Sequence, residues 1–527
     1  MRAKDYLILF LIGTAVALAA ARFIPVPGYM DAEYYYANST QLATGHGFYE
    51  PFLWNYLDDP AGIPHAANTY WMPLASIISA IGLFVTGKAD FFSARIFFIL
   101  LAGLIAPLTA FISWRFSRKR IVAWLAGGLA VFSGFYAIYM GITDTFALFM
   151  VLGALFLILG TSSIQPSGLK FFCLGLAAGL MHLARADGLL WLVCGVVLAG
   201  IEIVRSPVDR RGKGLAVIKS GGSLLLGYLL VMLPWYVRNV DLYGGLFSPA
   251  GGRVLWLADY NQMFAFPASQ LNFQNWLATG LGNMLQIRGE ALSLNLQTTL
   301  AVQAQIFLIP MLLLGAWRLR KMAIVRLAFG MWLATFFLMT LVFPLAGDRG
   351  GFFHSGAAFQ PVFWAISAEG FVGLIEFGVR KRNWKLESAT KGFGFLLILV
   401  SALITLALFL PQVISDASTP SAWAASNVTY QAVDQYLVEA GVAKDQIIVV
   451  NNPPGYFTAT GRQSIVIPDG NIQTLLNAAK KYGAGYLVLE QNTVKDLLDL
   501  YKNPRSEPGL AYVQSVGDVR IFKIVNP

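Results

Sequence analysis

Runs of about 20 apolar residues recur along this chain, and they constrain its fold more than any other feature. Folded as a helix, such a run is long enough to cross the hydrocarbon core of a bilayer, which is about 30 Å thick. A β-barrel would show shorter segments of alternating hydrophobicity instead. Because 57% of the 527 residues are hydrophobic and the mean hydropathy is +0.61, a soluble fold would expose large apolar patches. The sequence therefore predicts a polytopic α-helical membrane protein.

Charge and cysteine content exclude several other classes of protein. The basic residues, which give a formal net charge of +10, lie in short clusters between the apolar runs. Such clusters are typical of cytoplasmic loops, so we expect no nucleic-acid partner. Both cysteines, Cys173 and Cys194, lie inside apolar runs, which excludes a disulfide framework and a multi-cysteine zinc site. The four histidines are scattered and form no HExxH pair.

The topology follows from the placement of the basic clusters. The ambiguous segment is 71–87: as a span it would place the cluster at 115–120 outside, whereas an interfacial helix there puts every strong cluster inside. We therefore predict about eleven spans, with the N-terminus inside and the C-terminus outside. The basic clusters contain Arg115, Arg118, Lys119 and Arg120; Arg205, Arg210, Arg211 and Lys213; Arg318, Arg320, Lys321 and Arg326; and Arg380, Lys381, Arg382 and Lys385. The predicted spans are 5–22, 92–113, 121–141, 145–163, 169–185, 188–204, 215–234, 302–317, 324–345, 359–378 and 392–411.

The first 25 residues can also be read as a signal peptide, with an apolar core followed by small residues before Arg22. An uncleaved first span is the favoured interpretation. Either one places the following segment outside, so the topology does not depend on the choice.

Composition changes after the last apolar run and indicates a second domain. Residues 1–411 form the predicted membrane domain, with 23–91 as its first outer loop, and 418–527 have ordinary polarity. In the second part, QIIVVN and GYLVLE have the pattern of strands, LAYVQSV and VRIFKIV that of a closing strand pair, and the segments between them that of helices. We expect a small extracytoplasmic α/β domain, and the lack of a glycine-rich phosphate loop argues against nucleotide binding.

Carboxylates gather where the chain leaves the first span. Asp31 and Glu33 follow a Pro-Val-Pro-Gly turn, and a carboxylate beside a bilayer is costly unless it is solvated, paired or used. If a helix starts at Asp31, then Tyr35 shares its face, whereas Glu33 lies about 200° away, so only one acid enters a common pocket. An extended start would let both acids point the same way. A purely structural alternative is that Asp31 caps the helix.

Arginines on the same predicted side complement these acids. Arg185, Arg238 and Arg349 each adjoin an apolar span, where a guanidinium either binds a phosphate or extends to lipid headgroups. His354 lies in the glycine-rich turn GDRGGFFHSG with Arg349 and is a further candidate for binding the donor phosphate. Together these residues fit sugar transfer from a lipid-linked phosphate. An arginine would hold the phosphate, and a carboxylate would deprotonate the acceptor or hold a divalent cation.

Six motifs carry a resemblance to a known class of enzyme. They are GYMDAEYYY, HAANTYWMPLAS, ITDTFALFMVLGALFL, LARADGLLWL, LPWYVRNVDLYGG and GDRGGFFHSGAAFQP, in that order through residues 1–411. In this set the chain resembles the GT-C class of membrane glycosyltransferases, which use polyprenyl-phosphate sugars. The likeness is to the bacterial branch near protein O-mannosyltransferases and aminoarabinose transferases. It implies an inner-membrane enzyme with a polyprenyl-phosphate-linked sugar donor, membrane lipid as its surroundings, and an acceptor that is a protein, a lipid or a glycan.

The resemblance also implies roles for individual residues. Asp31 would be the catalytic base with Glu33 beside it, and Asp144 a second acid near the active site. Arg349 and, less directly, Arg238 would grip the lipid phosphate, and 71–87 would be an outer juxtamembrane helix. A metal, if present, would be Mg or Mn on Asp31 and Asp144. The C-terminal domain would bind an acceptor or a partner.

One departure concerns the loop that many relatives mark with His-Pro-Pro or Lys-Pro-Pro. This chain has HAANTYWMP there, so His65 either replaces part of that element or has no such role.

Two other functions compete with glycosyl transfer. A transporter or flippase of a lipid-linked saccharide would carry polar residues at mid-depth in several spans, or broken helices in matching halves. A scaffold that displays the C-terminal domain would leave the carboxylates without a role. The polar residues gather at one face of the predicted bundle, which favours chemistry at that surface.

Overall fold

The computed structural model describes residues 1–164, 167–205, 210–415 and 420–525. The side chains of the basic cluster that contains Arg205, Arg210, Arg211 and Lys213 lie outside the described part, as does the predicted start of the second domain at residue 418. The helices are α1 Ala3–Ala21, α2 Met30–Ala43, α3 Leu74–Thr86, α4 Phe91–Ala94, α5 Ile96–Ser117, α6 Arg120–Val131, α7 Phe146–Gly160, α8 Ser167–Ala184, α9 Leu189–Arg205, α10 Arg210–Tyr243, α11 Pro249–Arg253, α12 Phe273–Ala278, α13 Gly280–Gln297, α14 Ile309–Leu319, α15 Ala323–Phe337, α16 Pro344–Ala346, α17 Phe352–Gly356, α18 Gln360–Arg382, α19 Leu386–Val413, α20 Ala425–Glu439, α21 Pro453–Thr460, α22 Ile472–Tyr482 and α23 Leu498–Lys502.

The membrane part is built from apolar helices that match the predicted spans. Within the described ranges, eight helices are long and apolar enough to cross a bilayer, and each coincides with a predicted span. The other three predicted spans overlap the shorter apolar helices α6, α7 and α14. A fourth short apolar helix, α3, lies where the interfacial helix was expected. The chain is therefore a multi-pass helical membrane protein.

The predicted span 302–317 is interrupted, which corrects the expectation of a continuous helix. Gln305 and Ile306 have left-handed φ values of +47° and +45°, a conformation that a helix of L-residues does not propagate. The helix α14 begins only at Ile309. The break is held by buried polar contacts, since the Gln305 side chain donates to the Ser133 carbonyl at 2.8 Å.

The C-terminal part folds around a six-stranded sheet. The described chain contains eight strands, six of which form this sheet. They are β1 Tyr49–Glu50, β2 Phe52–Leu53, β3 His65–Ala66, β4 Ile447–Val450, β5 Ser464–Val466, β6 Ala484–Leu489, β7 Leu510–Val516 and β8 Val519–Ile524. The order in this sheet is β2-β5-β4-β6-β8-β7, with β2, β5, β4 and β6 parallel. Side chains of α22 pack on one face, and those of α20 and α21 pack on the other.

Strand β2 comes from the first loop, not from the C-terminal sequence. Phe52 and Leu53 pair in parallel with Ser464 and Ile465 of β5. Because both residues are fully buried, this edge pairing ties the first loop firmly to the C-terminal α/β unit. The loop that carries Asp31 is therefore attached to both parts of the molecule.

Candidate active site

A sharp turn aims the start of α2. Gly28 has φ +87°, and a Cβ there would lie 2.1 Å from the Trp423 indole nitrogen, so only glycine fits. Tyr29 is the N-cap of α2, which excludes the alternative that Asp31 merely caps the helix. Asp31 occupies the first turn, and its carboxyl oxygen lies 3.7 Å from Nε2 of His354. Its side chain keeps 23% of its surface exposed, which leaves room for a ligand.

Asp31 and Glu33 point in different directions, as expected for a helix. Glu33 is 2% exposed, and its Oε2 accepts a hydrogen bond of 2.7 Å from Nδ2 of Asn452 in the α/β unit. Burial raises the pKa of Glu33 to about 7, and the Asn452 hydrogen bond opposes this rise. Glu33 therefore contacts the C-terminal unit, whereas Asp31 faces His354.

Asp144 completes a group that we call the site cluster, which consists of Asp31, Asp144 and His354. Asp144 lies in the turn before α7, and its Oδ2 is 3.2 Å from Nε2 of His354. The Tyr29 hydroxyl donates to the same oxygen, and the Thr145 amide and hydroxyl donate to Oδ1. One ligand atom from each member of the cluster lies within 4.8 Å of those of the other two.

His354 is oriented by its second ring nitrogen. Nδ1 donates to the Gly350 carbonyl at 2.9 Å, so Nε2 faces the two carboxylates. Gly350 has φ +107°, a conformation that favours glycine, and it brings this carbonyl to the ring. The Phe146 ring stacks on the imidazole at 4.0 Å between centroids. A backbone carbonyl on the far nitrogen is the usual support for a histidine that binds a metal.

The donor set of the site cluster fits a divalent cation. Two carboxylate oxygens and one imidazole nitrogen suit Mg, Mn or Zn. Burial raises the pKa of Asp31 to about 6; the nearby Asp144 charge adds to this effect and His354 opposes it. A cation at this place would offset the cost of ionising the buried Asp31 carboxyl.

Arg185 lies beside the site cluster and is held in place from two sides. Its Nε donates to Asp187 at 2.9 Å, and one Nη is 3.5 Å from the Gly351 carbonyl. The Ser355 hydroxyl donates to the other oxygen of Asp187 at 2.5 Å. Because Gly351 and Ser355 flank His354 in the chain, these contacts place the Arg185 side chain near the site cluster. An arginine so placed can hold an anion next to Asp31.

A cavity of about 70 Å³ is lined in part by Ala186, the residue that follows Arg185. Its walls come from the first loop, the end of α8 and the α10 region, and they are mainly aromatic and apolar. The lining residues are Asn68, Thr69, Tyr70, Met72, His182, Ala186, Met232, Trp235, Tyr236, Asn239, Leu246, Phe247, Ser248 and Gly251. A ligand bound at Arg185 could extend into this space.

The remaining predicted residues fall in different places. Tyr35 is 1% exposed, and its ring packs near that of Trp71 beneath the site. The Arg349 guanidinium covers the ring of Tyr260 at 4.7 Å. Arg238 donates to the Ala67 carbonyl at 2.6 Å, so it supports the first loop.

His65 belongs to a second buried group, which we call the loop clamp: Glu50, Asp58 and His65. Its Nδ1 is 3.3 Å from Glu50, and its Nε2 is 3.2 Å from Asp58. Burial raises the pKa of Glu50 to about 7, whereas the positive charge of His65 opposes this rise. The pKa of His65 is raised, because the hydrogen bond to Asp58 and the Glu50 charge outweigh its burial. His65 therefore joins two parts of the first loop.

Sequence reasoning missed two residues of the site. Tyr29 holds Asp144, and Asn452 holds Glu33. Tyr29 stands two positions before Asp31, but nothing in the pattern distinguishes it from the tyrosines that follow. Asn452 is 419 positions from its partner, and no local signal links the two.

No protein-family model matches the sequence, and no curated protein matches it. Solved structures do match. The oligosaccharyltransferase of Archaeoglobus fulgidus in its apo form aligns with a TM-score of 0.55 and 12% identity, over 93% of this chain and 70% of that one. AglB from the same organism, in complex with an inhibitory peptide and a dolichol-phosphate, aligns with a TM-score of 0.56 and 13% identity, over 99% of this chain and 74% of that one.

A third structure of the archaeal enzyme, in complex with Zn and sulfate, aligns with a TM-score of 0.54 and 13% identity, over 91% of this chain and 67% of that one. At such identity the likeness shows the fold alone. It confirms the multi-pass helical fold expected from the sequence, since this chain shares the fold of the archaeal oligosaccharyltransferase structures.

Proposed function

We propose that the protein is a membrane glycosyltransferase that moves a sugar from a polyprenyl-phosphate donor to an acceptor hydroxyl or amine. The observation that carries this proposal is the convergence of Asp31, Asp144 and His354 next to Arg185. The archaeal neighbours support it, since they are oligosaccharyltransferases and one is in complex with a dolichol-phosphate.

The site would lie on the extracytoplasmic face of the inner membrane. The basic clusters support this orientation, because they adjoin the opposite ends of the spans from Asp31. The donor would lie in the plane of the membrane, with its phosphate at Arg185 and part of its length in the adjoining cavity. Arg349 is a second candidate for the phosphate, and Arg238 acts through the first loop.

In the reaction, the acceptor oxygen or nitrogen attacks the anomeric carbon of the sugar from the side opposite the phosphate. The bond from that carbon to the phosphate oxygen breaks, and its electron pair stays on the phosphate. Asp31 takes the acceptor proton as a general base. Arg185 stabilises the negative charge that grows on the leaving phosphate. A single displacement of this kind inverts the anomeric carbon.

Asp31, Asp144 and His354 would hold a divalent cation, Mg or Mn, and a Zn-containing neighbour structure supports a metal here. When bound, the cation would supply positive charge for the phosphate and the carboxylates. Asp144 is then a ligand held by Tyr29, and His354 a ligand held by Gly350.

The acceptor would present a hydroxyl or an amine. One archaeal neighbour is tethered to an acceptor peptide, which supports a protein acceptor. A lipid or a glycan offers the same hydroxyl or amine chemistry.

The test is transfer by membranes that contain the protein, supplied with polyprenyl-phosphate sugars. Asp31→Asn should abolish transfer and leave the amount of folded protein unchanged. The matched control is Asp90→Asn, in the same loop, because Asn keeps the cap that Asp90 gives to the Ser93 amide. Wild-type transfer by Asp31→Asn would remove the general base.

One observation favours the second candidate, a flippase of a lipid-linked saccharide. The helix is interrupted between Gln303 and Ile309. Three buried glutamines, Gln303, Gln305 and Gln360, lie at this interruption. Broken helices are typical of transporters. Purified protein in liposomes should therefore be tested for movement of labelled polyprenyl-phosphate sugar between leaflets. We expect no movement above that of protein-free liposomes.

A further inference from the structure

The carboxyl ends of the parallel strands lie together at one end of the sheet in the α/β unit, a place that commonly binds ligands. In open α/β sheets, ligands bind where the strand order reverses. Here the reversal is at β4, since β5 and β6 lie on its two sides. Asn451 and Asn452 follow β4, and Glu490 follows β6. The Asn451 side chain donates to Asn492 at 2.7 Å, so the two loops are joined.

In this protein α2 lies against the carboxyl ends of these strands. Glu33 accepts from Nδ2 of Asn452 at 2.7 Å, and Oδ1 of Asn452 accepts from the Gly455 amide at 3.1 Å. Asn452 therefore caps α21 with one atom and binds α2 with the other. The fit is close, since a Cβ on Gly455 would lie 2.6 Å from the Glu33 carboxylate.

We infer that Asn452 is a positioning residue for Asp31. Glu33 and Asp31 belong to the same first turn of α2, about 3 Å apart along the helix axis. A hydrogen bond that fixes Glu33 therefore also fixes the direction in which Asp31 meets Asp144 and His354. The role of Asp31 rests on the proposed function, but the positioning of this turn does not.

The α/β unit would thereby help to position the first loop over the membrane domain. The unit contacts the first loop at several places, among them β2, the Tyr482 hydroxyl, which donates to the Pro60 carbonyl at 2.9 Å, and Asn452. The first two of these hold the distal part of the loop. Of these three contacts, the Asn452 hydrogen bond lies in the turn that carries Asp31.

Asn452→Asp separates the two tasks of this residue. Aspartate caps a helix as well as asparagine does, so α21 keeps its start. It has no amide hydrogen for Glu33, and it places a second carboxylate against the first. Glu33→Gln combined with Asn452→Asp restores the bond with donor and acceptor exchanged. Tyr482→Phe is the matched control, because it removes a bond of the same interface far from Asp31.

The experiment measures hydrogen exchange of the α2 amides and binding of Mn²⁺ alone to the purified full chain. Asn452→Asp should speed exchange of the Glu33 amide, which donates to the Tyr29 carbonyl at 3.0 Å in the first turn of α2, by about tenfold. It should also weaken Mn²⁺ binding by about tenfold, the usual effect of losing an outer-shell partner. The double variant should return both values toward wild type, and Tyr482→Phe should leave both unchanged.

The inference is overturned if Asn452→Asp leaves exchange in this turn at the wild-type rate. It is also overturned if the double variant behaves like Asn452→Asp. If wild-type protein binds no Mn²⁺, the proposed metal site fails, and the exchange rates still decide whether Asn452 positions the turn.

Discussion

The site cluster and the loop clamp contain the same chemical groups in two arrangements. Each places a histidine between two carboxylates at 3.2–3.7 Å. In the site cluster both carboxylates approach one nitrogen, Nε2 of His354, because Gly350 holds the other. In the loop clamp Glu50 and Asp58 bind opposite nitrogens of His65. One arrangement converges on a point, and the other links two segments.

The site cluster and the loop clamp also differ in their access to solvent. Glu50 and Asp58 expose 2% and 3% of their side chains, whereas Asp31 exposes 23%. Because the two carboxylates of the loop clamp lie against opposite ring nitrogens and both are enclosed, they do not share a point at which a ligand could bind. The convergent and partly open cluster keeps lone pairs available. We therefore propose a structural role for His65, in the motif HAANTYWMP, and a functional role for His354, after the glycine-rich turn.

The largest contrast should appear in catalysis. Asp31→Asn should lower transfer by about 10²- to 10⁴-fold, because the general base is lost. Asp58→Asn should change transfer per folded molecule little, since Asp58 serves only the loop clamp. Transfer rates normalised to folded protein check this pair, and an equal loss in both variants would contradict the division of roles.

Next in size is the effect of His65→Ala on stability. It leaves Glu50 and Asp58 buried without their shared partner, which costs about 3–5 kcal/mol when a buried pair is broken. We expect a lower apparent unfolding temperature in detergent and a first loop that proteases cut more readily. Wild-type stability of His65→Ala would show that the loop clamp does not contribute to the stability of the fold.

The pH dependence of stability should be weaker in Glu50→Gln. The pKa of Glu50 is raised from 4.5 to about 7 by burial, so its contribution to stability is complete below pH 4.5 and is lost as pH rises through 7. Since a pKa unit corresponds to about 1.4 kcal/mol, this loss amounts to roughly 3–4 kcal/mol. His65, whose pKa is also raised, changes in the same direction. Thermal unfolding between pH 4.5 and 8 should show a flatter profile for Glu50→Gln, and an unchanged profile would refute the assignment.

The smallest expected effect concerns the support of His354 by Phe146. Phe146→Leu removes the stacked ring and leaves all three candidate ligands in place. Mn²⁺ affinity should fall by a few-fold up to about tenfold, the low end of the range for outer-shell changes. Calorimetric titration measures it, and the loop-clamp variant His65→Ala should not show this loss.

The sequence predicted best what depends on local composition. The run 392–411 became α19, Leu386–Val413, because length and apolarity alone define such a helix. The break before Ile309 was not predictable, since it depends on a hydrogen bond from Gln305 to the Ser133 carbonyl in the distant turn after α6. Strand β2 has two residues and exists only because β5 pairs with it.

The site divides in the same way. Position near the end of a span identified Asp31, Asp144 and Arg185 as candidates, and the glycine-rich turn identified His354. That His354 faces the two acids, and that Arg238 supports a loop, depend on packing between segments more than 100 residues apart. Such pairings leave no trace in a single sequence.

The central claim is that Asp31, Asp144 and His354 form one metal-binding catalytic group. The most direct measurement is anomalous diffraction at the manganese edge from crystals of the full chain soaked in Mn²⁺. The account predicts a peak among these three side chains in wild-type protein and its loss in Asp31→Asn. A peak that persists in Asp31→Asn, or no peak there in wild-type crystals, would contradict it.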